Sequence, residues 1–299
     1  MRIFVTGATG HIGSRVVDEL LGAGHEVTGL AHHDAAAAAL AARGVGVVRG
    51  GLEDPEGLAR AARASEGVIH LAYRHDFSRM EENAALDNVA VRAMGEALVS
   101  SGGALVIASG TLVLAAAAPG RVGTEDDAAS GDVAGRARTE NDAVALGARG
   151  VRTVVVRLPP TVHSPFDAHG FVPTLVRLAR ERGSSAFVGD GATRWPAVHT
   201  LDAARLFRLA VESAPPGTRL HAVADEGVAF REIARAVGRG LGVPAVSVRP
   251  DEAAEHLGFL GALAQVDNPT SSARTRDLLD WRPEHPRLLP DLDAGHYFA

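Results

Sequence analysis

The chain has 299 residues, of which 46% are hydrophobic and 22% are charged, a balance typical of a globular protein with a sizeable core. Its formal net charge is −6 and it has no run of basic residues, so we expect neither a nucleic-acid partner nor a membrane partner. It contains no cysteine, which excludes disulfides and zinc–thiolate sites and fits a cytoplasmic protein; it also contains no lysine, so that all 30 residues of the Lys and Arg class are arginine.

Short apolar runs alternate with amphipathic helical patterns through the first half of the chain. Such alternation with short connections predicts an α/β fold with a parallel, doubly wound sheet of the Rossmann type, which binds ligands beyond the carboxyl ends of its strands. The predicted strands are Arg2–Thr6, Glu26–Leu30, Gly46–Arg49, Gly67–Leu71, Ala104–Ala108 and Arg152–Leu158. The predicted helices are Ile12–Gly22, Ala35–Arg43, Pro55–Ala64, Glu82–Ser100 and Arg136–Gly147.

The first predicted turn is rich in glycine. Gly7, Gly10 and Gly13 lie between the first strand and the first helix. Glycines there let backbone N–H groups approach a pyrophosphate at a helix N-terminus, and the last one allows the helix to pack closely on the strand. A plain βα turn is the alternative. The pattern predicts a dinucleotide cofactor bound by Thr6, Gly7, Thr9, Gly10, His11, Ile12 and Gly13.

The character of the sequence changes after Leu158. Loops become richer in proline, histidine and glycine, and helical patterns follow at Phe171–Arg182 and Asp202–Glu212. We predict a dinucleotide-binding domain over 1–160 and a smaller α+β substrate lobe over 161–299, with the second of these helices packing back on the first domain. No apolar stretch reaches the roughly 20 residues that span a bilayer, and we expect no signal peptide before the first strand.

The loop after the second predicted strand bears on the choice between NAD and NADP. An acidic residue ending that strand would bond the ribose 2′-hydroxyl and favour NAD, but the strand ends at Ala31 and is followed by His32 and His33. These histidines can pair with a 2′-phosphate, so we predict NADP, with His32 and His33 as cofactor ligands. Asp34 is the rival, because it lies one loop residue further on and could reach a ribose hydroxyl. NAD is therefore the alternative, and a further interpretation is that all three are solvated loop residues.

Five segments carry a family resemblance: TGATGHIG at 6–13, VIHLA at 68–72, VRLPP at 156–160, GDG at 189–191 and DWRP at 280–283. In this order they resemble the extended short-chain dehydrogenase/reductase superfamily, in its NAD-dependent epimerase/dehydratase branch. The resemblance implies further cofactor contacts after the third, fourth and sixth strands. These contacts are Gly51, Leu52, Leu71, Ala72, Tyr73, Pro159, Pro160, Thr161 and Val162.

The chain departs from this family at the active-site helix. The superfamily uses a Tyr-x-x-x-Lys pair, in which the tyrosine is the general acid and the lysine lowers its pKa. Counting along this chain places Arg136 and Glu140 at those positions, and the only tyrosines are Tyr73 and Tyr297. Arginine cannot usefully donate a proton near neutral pH, so the resemblance implies an atypical subgroup without the dyad. Gly51 is a second departure, since many relatives have an aspartate there that contacts the adenine amine.

Other residues must then stabilise an oxyanion and deliver the proton. Ser109 and Thr111, at the end of the fifth strand, can bond a carbonyl oxygen or merely cap the turn. His75 titrates near neutral pH and is a candidate acid, with a solvated loop histidine as the alternative. Arg136 could bind the ribose or an anionic substrate group, or could be a surface residue paired with Glu140 at i+4. The predicted catalytic residues are Ser109, Thr111, His75 and Arg136.

The substrate pocket is predicted to lie between the fourth strand and the smaller lobe. The chain has thirteen histidines but no metal-ligand spacing such as H-E-x-x-H, so no metal is predicted. Asp202 is interpreted as the cap of the helix that starts there, and Arg194 as one cation available to a phosphorylated substrate. The predicted pocket residues are Asp76, Phe77, His163, His169, Trp195 and His199.

From these features we predict an enzyme, an NADP-dependent oxidoreductase that acts on a small carbonyl or alcohol substrate with non-standard proton delivery. One alternative is a non-redox epimerase, dehydratase or cyclase on the same fold. Another is a non-catalytic NADP(H)-binding sensor. The resemblance also implies a homodimer, because the helices at Glu82–Ser100 and Arg136–Gly147 pair protomers in many relatives.

Overall fold

The structure, a computed structural model, describes residues 1–74, 79–115, 117–118, 120–130 and 135–299. Within these ranges no helix is long and apolar enough to cross a membrane. The strands are β1 (Arg2–Thr6), β2 (Glu26–Ala31), β3 (Gly46–Arg49), β4 (Gly67–His70), β5 (Ala104–Gly110), β6 (Arg152–Leu158), β7 (Thr161–His163), β8 (Ser185–Val188), β9 (Arg194–His199), β10 (Thr218–His221), β11 (Asp225–Ala229) and β12 (Ala245–Val248). The helices are α1 (His11–Gly22), α2 (Asp34–Ala41), α3 (Pro55–Arg63), α4 (Met80–Leu98), α5 (Arg136–Ala145), α6 (Phe171–Arg182), α7 (Thr200–Ser213), α8 (Phe230–Leu241), α9 (Ala253–Leu257), α10 (Leu260–Leu263), α11 (Ala273–Leu279) and α12 (Leu288–Asp293).

One seven-stranded sheet, the large sheet, has the order β10-β6-β5-β4-β1-β2-β3, and all of its neighbouring strands are parallel. From β1 the chain moves to β2 and β3 on one side, then crosses to β4 and continues to β5, β6 and β10 on the other. The carboxyl ends of β1 and β4 therefore mark the point where the strand order reverses, which is where open α/β sheets bind ligands. The predicted fold class is confirmed.

Helices cover both faces of the large sheet, and β1 shows how the sequence produces this. Side chains alternate between the two faces of a strand. Ile3 and Val5 pack in a cluster with α1, α2 and α7, whereas Phe4 packs in a second cluster with α3, α4 and α5. All three side chains are at most 1% exposed. A continuous apolar run in a short strand is thus required, because both faces are buried.

The bounds of the predicted elements agree with the structure to within about two residues, which is the usual uncertainty of helix ends. The start of α3 shows the local chemistry responsible. Asp54 accepts the N–H of Gly57 at 2.8 Å, and Pro55 occupies the first position of the helix. Both residues favour a helix N-terminus, since the aspartate satisfies a free N–H and proline has none to lose.

The chain after β6 forms a smaller lobe from the short sheets β11-β9-β7 and β12-β8, together with α6, α8 to α10 and α12. Its core contains Trp195 and Phe230, both at most 1% exposed. By contrast, α7 and β10 return to the large sheet, where Phe207 packs in the same cluster as Val16 and Val17 of α1. The predicted division of the chain at residue 160 stays a prediction.

Candidate functional site

The turn between β1 and α1, residues 7–13, is here called the glycine turn. Gly7 has a φ of +67°, and a Cβ there would lie 2.7 Å from the backbone nitrogen of Ala72 in the loop after β4. A Cβ on Gly13 would lie 2.0 Å from the carbonyl oxygen of Gly7. Gly10 is exposed to solvent, and its N–H donates to Gly7 O at 2.9 Å. Glycine at positions 7 and 13 is therefore what allows β1, β4 and α1 to approach one another so closely.

Helix α1 begins at this turn without a side-chain cap. Its N-cap is Gly10, and its first turn contains no acidic residue. The first N–H groups of a helix have no intrahelical acceptor and lie at the positive end of the helix dipole. An anion bound there would satisfy them, and exposed glycine backbone permits its close approach. The residues present at the switch point thus fit the pyrophosphate of a dinucleotide.

A buried chain of hydrogen bonds runs beneath the glycine turn. Thr6 Oγ1 accepts the N–H groups of Leu71 and Ala72, each at 3.2 Å. Its own proton is therefore directed to Nδ1 of His70, 2.8 Å away. His70 then carries its proton on Nε2 and donates it to Asp87 Oδ1 at 3.0 Å. Thr6, His70 and Asp87 are each at most 2% exposed, so they connect the glycine turn to α4 through the interior.

Asp87 also faces Arg136 at the start of α5. Arg136 Nη1 lies 3.5 Å from Asp87 Oδ2, and the guanidinium lies over the ring of Tyr73 at 3.7 Å from its centroid. Burial raises the pKa of Tyr73, with Asp87 adding to the rise and Arg136 opposing it. The alternative in which Arg136 pairs with Glu140 along the helix is wrong, because the Glu140 carboxylate has other partners.

Glu140 lies at the centre of a buried ionic cluster. Its carboxylate accepts hydrogen bonds from Arg157 Nη2 at 2.5 Å, Arg219 Nε at 2.8 Å and Ser109 Oγ at 3.0 Å. Glu140 and Arg157 are both 0% exposed. Burial acts to raise the pKa of Glu140, but the hydrogen bonds and the charge of Arg157, with further hydrogen bonds from Arg219 and Ser109, hold that pKa below its usual value. The cluster joins α5 to β5, β6 and β10.

The two hydroxyls predicted to act at the end of β5 are engaged within the protein. Ser109 donates to Glu140, and Thr111 Oγ1 accepts a hydrogen bond from Asn268 Nδ2 at 2.8 Å. Ser109 is 5% exposed and Thr111 is 0% exposed. These contacts favour the alternative interpretation of both residues, in which they fix the segment that follows β5.

The loop after β2 contains the residues predicted to select the cofactor. His33 Nδ1 accepts the N–H of Ala36 at 3.0 Å and so caps α2, which leaves Nε2 as the donor of the neutral ring. His32 is exposed, and its ring meets that of His33 edge-on with centroids 4.4 Å apart. Asp34 pairs with Arg49 at 2.7 Å. Arg49 ends β3, and it is a cation of this loop region that the sequence analysis did not single out.

The other predicted cofactor residues follow the carboxyl ends of β1, β3, β4 and β6. They therefore lie along the same end of the large sheet. Thr161 and Val162 also belong to β7, where Thr161 pairs with Ala197 of β9 and its Oγ1 donates to Pro196 O at 2.6 Å. The remaining members of this set are Thr9, Ile12, Gly51, Leu52, Leu71, Ala72, Pro159 and Pro160.

His11, the first residue of α1, connects the glycine turn to the smaller lobe. Its Nε2 lies 2.8 Å from Thr200 Oγ1, and its Nδ1 lies 3.7 Å from Asp167 Oδ1. Burial lowers the pKa of His11, which Asp167 opposes, and burial raises the pKa of Asp167. The side chain of His11 is thus committed to protein contacts, and its backbone N–H is the part available to a ligand at the helix N-terminus.

The predicted pocket residues that the structure describes, which are His163, His169, Trp195 and His199, do not share one environment. Trp195 is fully buried in the smaller lobe, where its indole N–H donates to Leu263 O at 3.3 Å and its ring packs on Phe230. The structure contradicts its prediction as a pocket residue, because the ring is enclosed in the core of the smaller lobe. His169 is exposed. Three predicted residues lie outside the described ranges: His75, Asp76 and Phe77.

His163 and His199 are buried at the start of α7, at 0% and 4% exposure. His163 Nδ1 lies 2.8 Å from Asp291 Oδ2, and His199 Nδ1 accepts the N–H of Leu201 at 3.2 Å as the cap of α7. Burial, with the nearby His163 and His285, lowers the pKa of His199 to about 4. Each ring thus makes a hydrogen bond within the protein through Nδ1. In the part of the chain that the structure describes, no group of three or more potential ligands is placed to hold a metal ion.

Two further predictions about polar residues are corrected by the structure. Asp202 is not the cap of α7, which is His199; the Asp202 carboxylate instead accepts the N–H of Glu284 at 3.0 Å and so holds the C-terminal segment. Arg194 is not a free cation for a phosphate, because Asp267 binds it at 2.7 Å with a second hydrogen bond at 3.1 Å. Both side chains tie distant segments together.

Sequence analysis missed His70, Asp87, Arg49 and Arg157, which organise this region. A signal for Asp87 was present in α4. It shares a helical face with Ala84 and Val91, which are both buried, so an acidic residue at that position had to find a partner inside the protein.

A buried histidine beside the ionic cluster gives a pH prediction. His221 Nδ1 donates to Ser271 O at 2.7 Å, so its Nε2 accepts from Arg157 Nη1 at 3.2 Å. Burial lowers the pKa of His221 to about 4, with Arg157 adding to the effect and Glu125 opposing it. An unfolded histidine titrates near 6.5, so below that pH the unfolded chain binds a proton that the folded chain rejects.

We therefore expect the free energy of unfolding to fall as the pH is lowered from 6.5 to about 4, with His221 contributing up to about 1.4 kcal/mol per pH unit. Urea unfolding at several pH values in this range measures it. His221→Gln should be less stable than the wild type at neutral pH but should lose less stability on acidification. Parallel pH profiles of the two proteins would contradict the assignment.

A parallel, doubly wound sheet with a glycine turn and an uncapped helix N-terminus at its switch point defines a dinucleotide-binding α/β protein. The chain belongs to the NAD-dependent epimerase/dehydratase family of the extended short-chain dehydrogenase/reductase superfamily, and the family model matches residues 3–222. The resemblance stated from the sequence is confirmed. The proteins of this family and its structural neighbours are enzymes of the epimerase/dehydratase type.

The chain is similar to the following three proteins. The chain is 45% identical over 298 residues to an uncharacterized protein of Schizosaccharomyces pombe, covering 100% of both chains. It is 28% identical over 260 residues to the 2-alkyl-3-oxoalkanoate reductase of Stenotrophomonas maltophilia, covering 82% of this chain and 77% of the other. Its fold is similar to that of a dTDP-glucose 4,6-dehydratase from Streptomyces venezuelae solved with NAD bound, with a TM-score of 0.80, 20% identity, and coverage of 100% and 96%.

Proposed function

We propose that this protein is an NADP-dependent oxidoreductase that interconverts a small carbonyl compound and its alcohol. The observation that carries the proposal is the glycine turn, where Gly7, Gly10 and Gly13 bring backbone close to the uncapped start of α1 at the switch point. A nicotinamide dinucleotide bound there supplies or accepts a hydride. The relationship to a 2-alkyl-3-oxoalkanoate reductase supports a 3-oxo carboxylate as the substrate class.

The preference for NADP is supported by the charges after β2 and β3. Asp34 is the acidic residue nearest the end of β2, and its carboxylate is paired with Arg49. The pair is solvent-exposed, so it is weak, and a 2′-phosphate could replace Asp34 as the partner of Arg49. His33 Nε2–H and the exposed ring of His32 add donors beside it. Together these groups favour a phosphate over a bare ribose hydroxyl.

A fluorescence titration with NADPH and with NADH tests the cofactor proposal. We expect NADPH to bind at least about tenfold more tightly, a difference of about 1.4 kcal/mol. Arg49→Gln should reduce that difference and leave NADH binding unchanged. The matched control is Arg74→Gln, which removes an exposed arginine paired with Glu53 at the neighbouring loop. Equal binding of both nucleotides would refute the NADP preference, and binding of neither would refute the oxidoreductase proposal.

Hydride transfer is tested with NADPH deuterated at C4 and a series of 3-oxo carboxylates of increasing chain length. Deuterium in the product alcohol, detected by mass spectrometry, is the expected result. A protein that binds NADPH and converts a substrate without moving the label would instead be a non-redox enzyme of this fold. A protein that binds NADPH and converts none of them would fit the sensor alternative.

A further inference from the structure

The loop after β4 places a tyrosine against an arginine at the edge of the sheet that carries the glycine turn. We propose that Tyr73 is the proton donor of this site and that Arg136 is the cation that stabilises the tyrosinate left behind. This inference rests on the proposed oxidoreductase function and names the group that completes it.

The position of Tyr73 is set by the glycine turn itself. Tyr73 directly follows Ala72, whose backbone nitrogen lies 2.7 Å from the point that a Cβ on Gly7 would occupy. The N–H of Ala72 is also bound by Thr6 Oγ1 at the end of β1. The backbone that carries Tyr73 is therefore fixed against the turn at the switch point, and the Tyr73 side chain is partly exposed.

The positively charged guanidinium of Arg136 lies over the Tyr73 ring. The Arg136 guanidinium is 3.7 Å from the ring centroid, and its side chain is 23% exposed. Arginine remains charged at any pH the folded protein meets. A cation at this distance favours the ionised form of a phenol, and partial burial keeps the interaction from being fully screened.

Two buried residues hold Arg136 in place. Asp87 lies 3.5 Å from Arg136 Nη1 and is itself 2% exposed. His70 donates Nε2–H to the other carboxylate oxygen of Asp87 and is fixed in turn by Thr6. Asp87 is a positioning residue, because it orients the guanidinium of Arg136. It is not itself the stabilising group, since its negative charge opposes ionisation of Tyr73.

Among the other predicted catalytic residues that the structure describes, two hydroxyls are buried in protein contacts and Arg136 lacks the chemistry. Ser109 donates a hydrogen bond to the buried carboxylate of Glu140, and Thr111 is fully buried, where its Oγ1 accepts a hydrogen bond from Asn268. Arginine cannot give up a proton near neutral pH. Tyr73 combines a transferable proton, partial exposure and an adjacent cation.

The proton step balances in the reductive direction. The carbonyl carbon of the substrate gains a hydride from the dihydronicotinamide, and the freed electron pair of the C=O bond moves to oxygen. That oxygen takes the proton from the Tyr73 hydroxyl, whose O–H bond breaks and leaves a tyrosinate beside Arg136. The substrate is reduced to an alcohol, the cofactor is oxidised, and the tyrosinate recovers its proton from water.

The test uses the fact that the chain has two tyrosines, Tyr73 and Tyr297. Protein labelled with 3-fluorotyrosine gives two fluorine resonances, which Tyr297→Phe assigns, and fluorination brings the phenol pKa into an accessible range. We expect Arg136→Gln to raise the pKa of residue 73 by about one unit or more, and Arg136→Lys to restore most of the difference. Tyr297 is the internal reference. NADP⁺ and NADPH should each shift the resonance of residue 73 at neutral pH.

Steady-state kinetics of tyrosine variants supply a second test. Tyr73→Phe should lower kcat for carbonyl reduction by at least about 100-fold, a far larger effect than on the Kd for NADPH, whereas Tyr297→Phe should retain most of the activity. An unchanged kcat in Tyr73→Phe, or a pKa of residue 73 that ignores both Arg136 and the cofactor, would overturn the inference. A protein that shows the Arg136-dependent pKa and the cofactor shift but transfers no deuterium would contradict the oxidoreductase proposal alone.

Discussion

Replacing Glu140 with glutamine will lower the free energy of unfolding by about 3–5 kcal/mol. The reason is the guanidinium of Arg157, which is 0% exposed and loses its only close carboxylate among the described residues. Its remaining partners are the carbonyl oxygen of Asp127 at 2.9 Å and Nε2 of His221 at 3.2 Å, and neither carries a negative charge. An uncompensated buried cation is among the most destabilising changes a single substitution can make.

Urea denaturation at neutral pH measures this loss. Glu96→Gln is the matched control, because Glu96 forms an ion pair with Arg149 on the exposed surface and should cost no more than about 1 kcal/mol. The lowered pKa of Glu140 also determines how its contribution to stability changes in acid. The stability it provides is complete above its unfolded pKa of 4.5 and is lost as the pH falls through the folded value, so wild type and Glu140→Gln should converge there. Equal losses in the two variants would contradict the buried cluster.

Alanine at Gly10 and at Gly13 will separate nucleotide binding from folding. A Cβ at Gly13 would lie 2.0 Å from the Gly7 carbonyl oxygen, so α1 must move away from β1, and we expect loss of both stability and cofactor binding. At Gly10 the nearest atom is 3.2 Å away, which small shifts can relieve. Gly10→Ala should therefore fold but bind NADPH at least about 100-fold more weakly, a change of about 2.7 kcal/mol, because the added methyl group occupies the exposed side of the turn.

Thermal unfolding and NADPH titration on the same samples read out the two effects. Gly22→Ala is the control, since it lies in the same helix and a Cβ there would contact nothing within 4 Å. It should preserve cofactor binding and leave stability unchanged or slightly higher. Tight NADPH binding by Gly10→Ala would mean that the cofactor does not lie against this turn.

Local patterns accounted for most of the fold. In β1, three consecutive apolar residues indicated a strand buried on both faces, and Ile3, Phe4 and Val5 indeed contribute to both clusters. The glycine spacing located the switch point because Gly7 adopts a positive φ and Gly13 packs directly on the Gly7 carbonyl oxygen. Asp54 and Pro55 likewise set the start of α3 through bonds to their immediate neighbours. These features depend on residues close in sequence, which is why they could be predicted.

The side-chain partners of the candidate site could not be predicted in this way. Glu140 was considered with Arg136, one helical turn away, but its carboxylate binds Arg157 and Arg219 from two other strands. Trp195 was placed in a pocket because its segment was expected to wall the site, whereas packing against Phe230 buries it. Such pairings are decided by how strands and helices come together, and a single sequence does not record that geometry.

The parallel sheet that carries the glycine turn is closed at one edge by β10, a strand from the second half of the chain. Arg152 of β6 reinforces this closure by donating to Val211 O at 2.5 Å at the end of α7. A fragment truncated before α7 would leave β6 as an unpaired edge and would uncover the apolar side of α1. We therefore expect the N-terminal half to become stable only after the chain has been synthesised through β10, because α7 and β10 complete its core and its sheet.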